Sequence, residues 1–445
     1  MFNRRKIIII LLFIAGLSFA QDKNYDKSVD IKTYELFKNK KYDEMIDIAD
    51  SAFSKGIDFY YLRMRVGIAY YENKNYMSSI QHFKKALLMN KNDTIAMEYL
   101  YYSYLFSGLT NDANILAKEF PSSLKTKIDY KQPKFFKGIY TEGGYLYNGD
   151  YEKWKNKKIS GNQQISGEQI IPKNGIYFNI DFIHSFDERI TVFHGYINNT
   201  FNFTKRFEIQ PNNFRNFDIS ISQNEYYINS SIYLGEGFTL SGSFHYLNVK
   251  TEDIIKQPSK NDFDKITQSF NDYVFSFELG KRISHFDFGI AAGFSRLNNA
   301  HQLQNSLSIV WYPFGNLNLY FVNNYIFHSN KDNGDKNYIT RFLYFTKAGL
   351  KISDAVWVES NFTSGDIINY HENSAFIVYN NTEKIKYKYE LTFLFPVSFN
   401  LELSLRYQFY PQEMTSTKYF SSSQNIKTTE NIYIHKFIGG IKWLF

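Results

Sequence analysis

Apolar and polar side chains alternate strictly along much of the C-terminal two thirds of the chain. The clearest run is 401–409, where leucine, tyrosine or phenylalanine at odd positions alternates with polar or charged residues at even positions. A period of two places successive side chains on opposite faces of a β-strand, so each strand has one apolar and one polar face. Runs of about ten residues are long enough to cross a bilayer at a tilt. The pattern therefore predicts membrane-spanning β-strands rather than the shorter strands of a sandwich with a single dry core.

The strand signals, and the turn signals between them, predict fourteen strands. Short turns, such as 235–236 and 352–353, alternate with long polar connections, such as 204–222 and 364–382. This alternation is typical of transmembrane β-barrels, which have tight turns on one side of the membrane and longer loops on the other. An even strand total places the short apolar pattern at 375–379 inside the sixth long connection rather than in the barrel. The predicted strands are 134–148, 174–184, 189–203, 223–234, 237–249, 269–281, 285–297, 302–312, 316–328, 337–351, 354–363, 383–395, 399–410 and 431–445.

The last predicted strand has a pattern of its own. Counting back in twos from the final residue gives aromatic and apolar side chains that include Phe437, Ile441, Trp443 and Phe445. A terminal aromatic residue on such a strand resembles the C-terminal recognition signal of bacterial outer-membrane barrels. The resemblance implies that outer-membrane lipid surrounds the barrel and that the barrel-assembly machinery binds this strand as a partner.

The N-terminal part of the chain has a helical period and repeats every 34 residues between 26 and 127. Tyr42 and Tyr76, for example, lie one period apart in two similar strings. A repeat of this length is typical of stacked helix pairs, which need about three units for a stable core. The middle unit resembles the tetratricopeptide pattern, although Arg63 stands where a tryptophan is usual. The residues that carry the resemblance are Gly67, Tyr70, Phe83 and Ala86.

The tetratricopeptide resemblance implies an α-solenoid of three repeats at 21–120. Such a stack presents a concave groove, so a periplasmic protein partner that docks on the array is one interpretation. The other is a spacer that only packs under the following domain. The sequence leaves both interpretations open.

The beginning of the chain has the composition of a secretory signal peptide. Arg4, Arg5 and Lys6 precede an apolar run at 7–17, and Ala20 ends a short stretch that contains small residues. The apolar run is too short for a helix that crosses a bilayer core of about 30 Å, so we predict cleavage after Ala20.

The whole chain is therefore predicted to contain four parts. The signal peptide at 1–20 is followed by a periplasmic helical domain at 21–120, with 21–133 as a whole in the periplasm. Prolines bracket a lysine-rich stretch of weak periodicity at 121–133, which we predict to be a linker. The outer-membrane β-barrel occupies 134–445.

Composition and charge exclude several classes of protein. The 445 residues include no cysteine, which excludes disulfide scaffolds, thiolate zinc sites and cysteine nucleophiles. A mean hydropathy of −0.40 argues against a bundle of transmembrane helices. The formal net charge of +7 falls to +4 when the predicted signal peptide is removed. A charge so small gives no support to nucleic-acid binding.

The polar face of the predicted strands would line the interior of the barrel. Buried charges without partners are costly, so either water fills the interior or these side chains pair across it. The two alternatives, a polar channel and a self-paired lumen, both remain open. Arg406 and Glu402 lie four residues apart on one face and are candidates for such a pair. The candidate lumen-lining residues are Asp181, His245, Glu278, Asp287, Lys386, Lys388, Glu390, Glu402, Arg406 and Lys442.

The sequence contains no motif that predicts an active site. None of the nine histidines lies in a Gly-x-Ser-x-Gly motif, and His371-Glu372 has no second histidine at the spacing of a zinc protease. Ser243 and His245 share a predicted inner face, but such pairs are usually wall residues. We therefore predict no catalytic residue, no metal and no cofactor, and keep a barrel hydrolase as the third alternative.

Taken together, the predicted parts resemble bacterial outer-membrane proteins that join a tetratricopeptide array to a C-terminal barrel. This group includes YaiO-type proteins, surface lipoprotein assembly modifiers and exporters of exopolysaccharides. The resemblance implies a conduit or a translocation or assembly factor for an exported polymer, lipoprotein or solute, with a partner bound to the array. The alternative is a non-conducting anchor that presents the array as a scaffold.

Overall fold

The structure is a computed structural model that describes residues 26–157, 159, 166–210, 213–256, 262–420 and 424–445. The chain divides into two compact units, which are described separately. The first comprises the residues up to Gln132 together with 312–317, and the second comprises the rest. The signal peptide predicted at 1–20 lies outside the described residues.

The first unit is mainly helical. Several helices begin at side chains that accept hydrogen bonds from the first free N–H groups, as Asp26 and Asp93 do. Among the described residues, no helix is both long and apolar enough to cross a membrane. The helices are α1 (Lys27–Lys38), α2 (Tyr42–Ser54), α3 (Tyr60–Glu72), α4 (Tyr76–Met89), α5 (Thr94–Phe106), α6 (Thr110–Lys118) and α7 (Ser122–Lys127).

The residues of the middle repeat lie at a close contact between α3 and α4. Phe83 and Ala86 on α4 are fully buried. A Cβ atom at Gly67 on α3 would lie 2.8 Å from the Phe83 ring, so these helices approach each other at a residue without a side chain. Tyr70 packs at the edge of the neighbouring core and stacks on His82, with ring centroids 5.5 Å apart. The six helices expected for three repeats are present, and the tetratricopeptide identity stays a prediction.

Arg63 stands in place of the tryptophan of the tetratricopeptide pattern and is itself buried. Its guanidinium donates hydrogen bonds of 2.7 and 2.6 Å to the Asp58 carboxylate and lies 3.5 Å from the centre of the Phe53 ring. Burial, with the positive charges of Arg63 and Lys85, lowers the pKa of His82 to about 4. His82 is therefore neutral near pH 7, and Arg63 is a paired cation in the helical core.

Replacing Gly67 by alanine is expected to destabilise the helical unit by about 1–3 kcal/mol, the usual cost of overpacking a core. The new Cβ would meet three atoms of a ring that has no free space to move into. Thermal unfolding of the full chain in detergent, followed by the helical circular dichroism signal, measures the change. The double variant Gly67→Ala/Phe83→Leu should recover part of the loss, because the ring atoms are gone. Equal losses in the single and double variants would contradict this packing.

The linker predicted at 121–133 is only partly a linker. Residues Ser122–Lys127 form α7, and Leu124 is buried in the same core as Phe120. In the sequence this short helix is rich in lysine and serine and has a single buried apolar residue, Leu124, so no helical period was visible. Within the predicted linker, only Pro121 and residues 128–133 are outside this helix.

The described residues of the second unit contain sixteen strands. They are β1 (Phe136–Asn148), β2 (Ser166–Ser185), β3 (Ile190–Gln210), β4 (Asn213–Gly235), β5 (Phe238–Lys256), β6 (Phe263–Ile283), β7 (Phe286–Leu297), β8 (Ala300–Trp311), β9 (Leu319–Lys331), β10 (Ile339–Ser353), β11 (Val356–Ile367), β12 (Tyr370–Glu372), β13 (Ile377–Tyr379), β14 (Ile385–Pro396), β15 (Leu401–Tyr419) and β16 (Asn425–Leu444). A helix, α8 (Tyr151–Asn156), follows β1.

Fourteen of these strands form a closed antiparallel barrel. Each pairs with the next along the chain, β11 pairs with β14, and β1 pairs with β16 to close the circle. The predicted fourteen-stranded antiparallel barrel is therefore confirmed. β12 and β13 form a separate two-stranded sheet between β11 and β14, and the segment 375–379 is not a strand of the barrel wall, as predicted.

The two faces of the barrel wall differ in character. On β16, the aromatic and apolar set predicted from the chain end is exposed: Phe437, Ile441, Trp443 and, just beyond the strand, Phe445. The intervening Ile434 and Ile438 are buried. On β16, the odd-numbered apolar side chains therefore face the outside of the barrel, and the even-numbered side chains face its interior.

Three of the predicted long loops are strands instead. The connection predicted at 204–222 is occupied by β3 and β4, with only 211–212 between them, and those at 250–268 and 411–430 are likewise mostly strand. Extending a hairpin pairs backbone N–H and C=O groups that a loop would leave to water. The extension at 411–430 carries polar residues on both faces, so the apolar alternation that marks the rest of each strand is missing there. In the 204–222 connection, apolar and polar residues still alternate at 217–222.

Candidate functional site: a hairpin inside the barrel

The connection between β11 and β14 folds into the barrel. Its central part, residues 369–381, contains β12, a turn and β13, and is called the plug hairpin here. At the turn, Asn373, Ser374 and Ala375 have φ values of 52°, 50° and 67°. Residues with a side chain rarely adopt this left-handed conformation, so contacts with the surroundings must hold the turn in place.

The turn is held by donors from two neighbouring strands. The carbonyl oxygen of Ser374 accepts hydrogen bonds from the hydroxyls of Ser243 on β5 (2.5 Å) and Tyr227 on β4 (3.0 Å). His245 Nδ1, also on β5, lies 2.7 Å from the carbonyl oxygen of Ala375. The side chains that could have formed a hydrolase site are therefore bonded to backbone of the plug hairpin.

Two carboxylates of β6 bind neutral donors of the plug hairpin. The Ser374 hydroxyl donates to Glu278 Oε2 (2.8 Å), and Asn380 Nδ2 donates to Asp272 Oδ2 (2.8 Å). Asp272 is almost fully buried. The plug hairpin therefore presents hydrogen-bond donors without charge to the acidic side chains of this strand.

An ion pair joins the plug hairpin to β14, across the barrel from the contacts with β4, β5 and β6. Lys388 on β14 is 1% exposed, and its Nζ atom lies 2.6 Å from Glu372 Oε2. The same ammonium donates to the Tyr379 hydroxyl (2.5 Å), and Thr363 on β11 donates to Glu372 Oε1 (3.1 Å). Glu372 is the one acidic residue of the plug hairpin, and it faces a cation of the wall.

Further bonds join the ends of the plug hairpin to the strands between these two sides. Gln304 on β8 donates to the carbonyl oxygen of His371 (3.0 Å), and His328 Nε2 on β9 lies 2.7 Å from that of Asn369. β4 and β14 are on opposite sides of the closed ring of strands. A segment that bonds to both, and to strands between them, lies across the interior of the barrel.

A network of charges occupies the wall beside the plug hairpin. Arg406 on β15 pairs with Glu142 on β1 (3.2 Å) and lies 3.7 Å from Glu390 on β14. Glu390 also accepts hydrogen bonds from Asn361 (2.8 Å) and Gln408 (2.6 Å). Such a network compensates for the burial of its charges only when each has partners, as these have.

The polar network and the plug hairpin meet an apolar cluster. Trp154 of α8 is 3% exposed and shares this cluster with Ile171 of β2 and Tyr370 of the plug hairpin. β2 also pairs with β15 beyond the end of β1, through Gln169 and Ser416. The helix after β1 and the plug hairpin are therefore anchored in one core.

The structure places the sequence-predicted lumen residues in different surroundings. Asp181, His245, Lys388 and Glu390 are buried, whereas Glu278, Asp287, Glu402, Arg406 and Lys442 are half-buried. Arg406 does not pair with Glu402 as considered from spacing, because Glu402 lies opposite Lys442 of β16 in the strand register. Asp287 pairs with Arg282 near a turn.

Lys386 is a correction to the predicted set. It is exposed, and its Nζ lies 3.7 Å from Glu413. The register of β14 against β15 shifts between Ile385 and Tyr389. A β-bulge there changes which face successive residues occupy, so strict alternation failed at this position.

The sequence did not identify the plug hairpin as part of the site. Tyr227, Glu372 and Ser374 carry its main contacts, and none of them belongs to a motif. The available signal was the short strand pattern at 375–379 in a connection otherwise rich in asparagine. In the part of the chain that the structure describes, no group of three or more potential metal ligands is found.

Comparison with protein-family models gives no match, and comparison with curated proteins gives none either. Solved outer-membrane barrels are similar in fold. A FadL homologue from Pseudomonas aeruginosa is 8% identical, with 69% of this chain and 90% of that chain covered and a TM-score of 0.42. The TodX monoaromatic hydrocarbon channel, as its deltaS2 mutant, is 8% identical over 75% of this chain and 94% of that chain, with a TM-score of 0.44. The outer-membrane protein Omp33 of Acinetobacter baumannii is 9% identical over 70% of this chain and 100% of that chain, with a TM-score of 0.29. At such scores, nothing known of those proteins carries over to this chain.

Proposed function

We propose that the chain is an outer-membrane barrel that acts as a conduit and rests in a closed state, with the plug hairpin as the closing element. The observation that carries the proposal is the hydrogen bonding of a loop across the barrel interior. The apolar side chains on the outside of the barrel suit lipid, and the polar side chains inside the barrel suit water or a polar solute.

The contacts of the plug hairpin suit an element that can leave. Apart from the apolar contacts of Tyr370, Ala375 and Val378 with the wall, they are hydrogen bonds and one ion pair. Water or a polar solute can replace these polar contacts at low net cost. The strained turn also gains by release from its left-handed conformation. An element meant only to fill the barrel would be better held by apolar packing, which is costly to expose.

The helical unit completes the proposal. Preceded by a signal peptide, it would lie in the periplasm as a tetratricopeptide-like array and bind a protein partner that delivers or receives the cargo. The YaiO-type and lipoprotein-assembly architectures have this order of parts. The exported polymer or lipoprotein of those families is one possible cargo, and a solute is another.

The second candidate function is a non-conducting anchor. The paired charges around Arg406 and the buried plug hairpin favour it, because a lumen filled in this way can remain shut. Recordings on the intact protein in planar bilayers distinguish the two functions. The conduit is expected to switch between a closed level and an open one, and the anchor is expected to stay silent under all voltages.

Removing one hydrogen bond that holds the plug hairpin should raise the fraction of time for which the conduit is open. Ser243→Ala removes a donor to the Ser374 carbonyl oxygen, a bond worth about 1 kcal/mol, so the open fraction should rise about fivefold. Ser241→Ala is the matched control, because Ser241 is on the same strand and bonds to Ser231 instead of the plug hairpin. If both variants behave alike, or if neither conducts, the plug hairpin is not a gate.

A further inference from the structure

Strands β7, β8 and β9 carry a row of basic side chains on the outside of the barrel. Arg296 lies directly opposite His301 in the pairing of β7 with β8, and His301 lies directly opposite Lys331 in the pairing of β8 with β9. All three are near the end of the barrel that is opposite to the start of β1 and the end of β16. Directly paired residues point to the same face, and the strands are about 4.8 Å apart, so this basic row is about 10 Å wide.

The basic row lies at the edge of the apolar outer face. Arg296 and His301 are exposed, whereas their chain neighbours Ser295 and Gln302 are buried on the inner face. The span 286–294 on a strand tilted by about 40° rises about 23 Å, close to the apolar band of about 25 Å in outer-membrane barrels. The basic row therefore lies where lipid headgroups begin. Counting in twos from each basic residue into its strand reaches mainly exposed apolar or aromatic side chains: Phe294, Ile290, Phe288 and Phe286 on β7, Leu303, Leu307 and Trp311 on β8, and Phe327 and Tyr325 on β9.

The wall does not neutralise the basic row. Among the described residues, none of its three side chains has a carboxylate oxygen within 4 Å. Two acidic residues nearby are bound on the inner side of the wall. Asp272 is buried and accepts a hydrogen bond from the Asn298 N–H (3.1 Å), and Asp332 accepts one from Asn330 (2.7 Å), which lies opposite the buried Gln302.

Other lysines at the same end of the barrel are paired. Lys265 at the start of β6 lies 2.9 Å from Glu252, and Lys384 just before β14 lies 2.8 Å from Asp366. Lys331 of the basic row has only the ring of Tyr338, whose centre is 5.9 Å from its Nζ atom. The basic row is therefore a cluster of exposed donors that the protein leaves available.

We propose that the basic row binds the phosphate of a lipid headgroup in the leaflet that surrounds this end of the barrel. A guanidinium donates two parallel hydrogen bonds to a phosphate, and an ammonium binds it as a compact charge. The His301 ring has an N–H donor in either protonation state and packs on Phe294, with ring centroids 6.3 Å apart. Arg296 and Lys331 flank this ring, so their long side chains can converge on one phosphate in front of it.

The position of the basic row favours a lipid over a free anion. A phospholipid places its acyl chains against apolar side chains such as Phe294 and Leu303 while its phosphate reaches the basic row. A free phosphate ion makes only the second contact. The proposal concerns the outer surface, so it holds whether or not the barrel conducts.

The test titrates the full chain in dodecylmaltoside micelles with dioctanoyl phosphatidic acid, whose phosphate is uncovered, and counts bound lipid by native mass spectrometry. Dioctanoyl phosphatidylcholine, whose choline group balances the phosphate charge, is the reference lipid. Phosphatidic acid is expected to bind at least about tenfold more tightly than the reference. The double variant Arg296→Gln/Lys331→Gln should weaken its binding about thirtyfold, because each basic side chain near a lipid surface contributes about fivefold.

The matched control is Lys265→Gln/Lys384→Gln, which removes the same net charge from the same end of the barrel, but from lysines that carboxylates already bind. This control should leave the affinity for phosphatidic acid nearly unchanged. Migration as a folded barrel, measured for each variant, separates loss of binding from loss of the fold. Equal binding of the two lipids, or equal losses in the test and control variants, would overturn the proposal. Displacement of phosphatidic acid by an equal concentration of inorganic phosphate would assign the basic row to a free anion and would also overturn it.

Discussion

Replacing residues 370–379 of the plug hairpin by Gly-Ser-Gly is expected to turn a barrel that is closed most of the time into one that conducts steadily. Barrels of eight strands are filled by their own side chains, whereas those of sixteen to eighteen strands leave an aqueous channel. Fourteen strands lie nearer to the second class, so removal of the hairpin should leave a water-filled path. The effect should be large, because the segment bonds to walls on both sides of the interior.

Planar-bilayer recordings measure this effect as the steady conductance of single molecules. The matched control is a variant in which the loop at 332–338, between β9 and β10, is shortened by the same replacement. This control should retain the closed level of the intact protein, because the barrel and the plug hairpin are unchanged. Persistent silence of the hairpin variant, in a protein that still migrates as a folded barrel, would show that the side chains of the wall close the lumen by themselves.

Replacing Lys388 by methionine is expected to destabilise the closed state by about 3–5 kcal/mol, the usual cost of leaving one partner of a buried ion pair alone. Glu372 would lose the ammonium 2.6 Å away and remain enclosed. The plug hairpin should therefore leave the interior much more often.

A thiol on β6 opposite Ser243, which bonds to the plug hairpin, measures how often the hairpin leaves. Ser276 on β6 is 3% exposed, and the chain has no cysteine of its own, so Ser276→Cys introduces a single buried thiol. Its reaction with a small water-soluble thiol reagent should be at least about a hundredfold faster in the Lys388→Met background, as 3 kcal/mol corresponds to more than two powers of ten. Adding Glu372→Gln should restore most of the protection, because the orphaned charge is gone. Protection that is unchanged by Lys388→Met would mean that the ion pair contributes nothing to closure.

The local pattern of the sequence predicted most of the barrel. Each strand of the barrel has lipid-compatible side chains on one face, so the strands could be located and counted from alternation together with the turn signals between them. Prediction failed where that contrast is missing. The hairpin extension at 411–430 is polar on both faces, and a bulge after Ile385 moved Lys386 to the exposed side.

The sequence predicted which residues lie inside the barrel at the candidate site, but not how they pair with each other. The alternation identified charged side chains such as Lys388 and Glu390 as the inner set, but it could not assign their partners. Spacing suggested Glu402 for Arg406, whereas the register brings Glu142 from the opposite end of the barrel sequence to that arginine. Pairing of this kind depends on closure of β1 against β16, which no local pattern encodes.

The sequence by itself thus determined a barrel with an apolar exterior and a charged interior, because each residue meets lipid or lumen according to its own position in the strand. Only the tertiary structure decided what fills that interior. The contacts that hold the plug hairpin join residues far apart in the chain: Ser374 lies 147 positions from Tyr227 and 96 from Glu278. Whether a polar loop points to solvent or folds inward depends on whether such distant groups form a complementary surface, and that surface exists only after the barrel has closed.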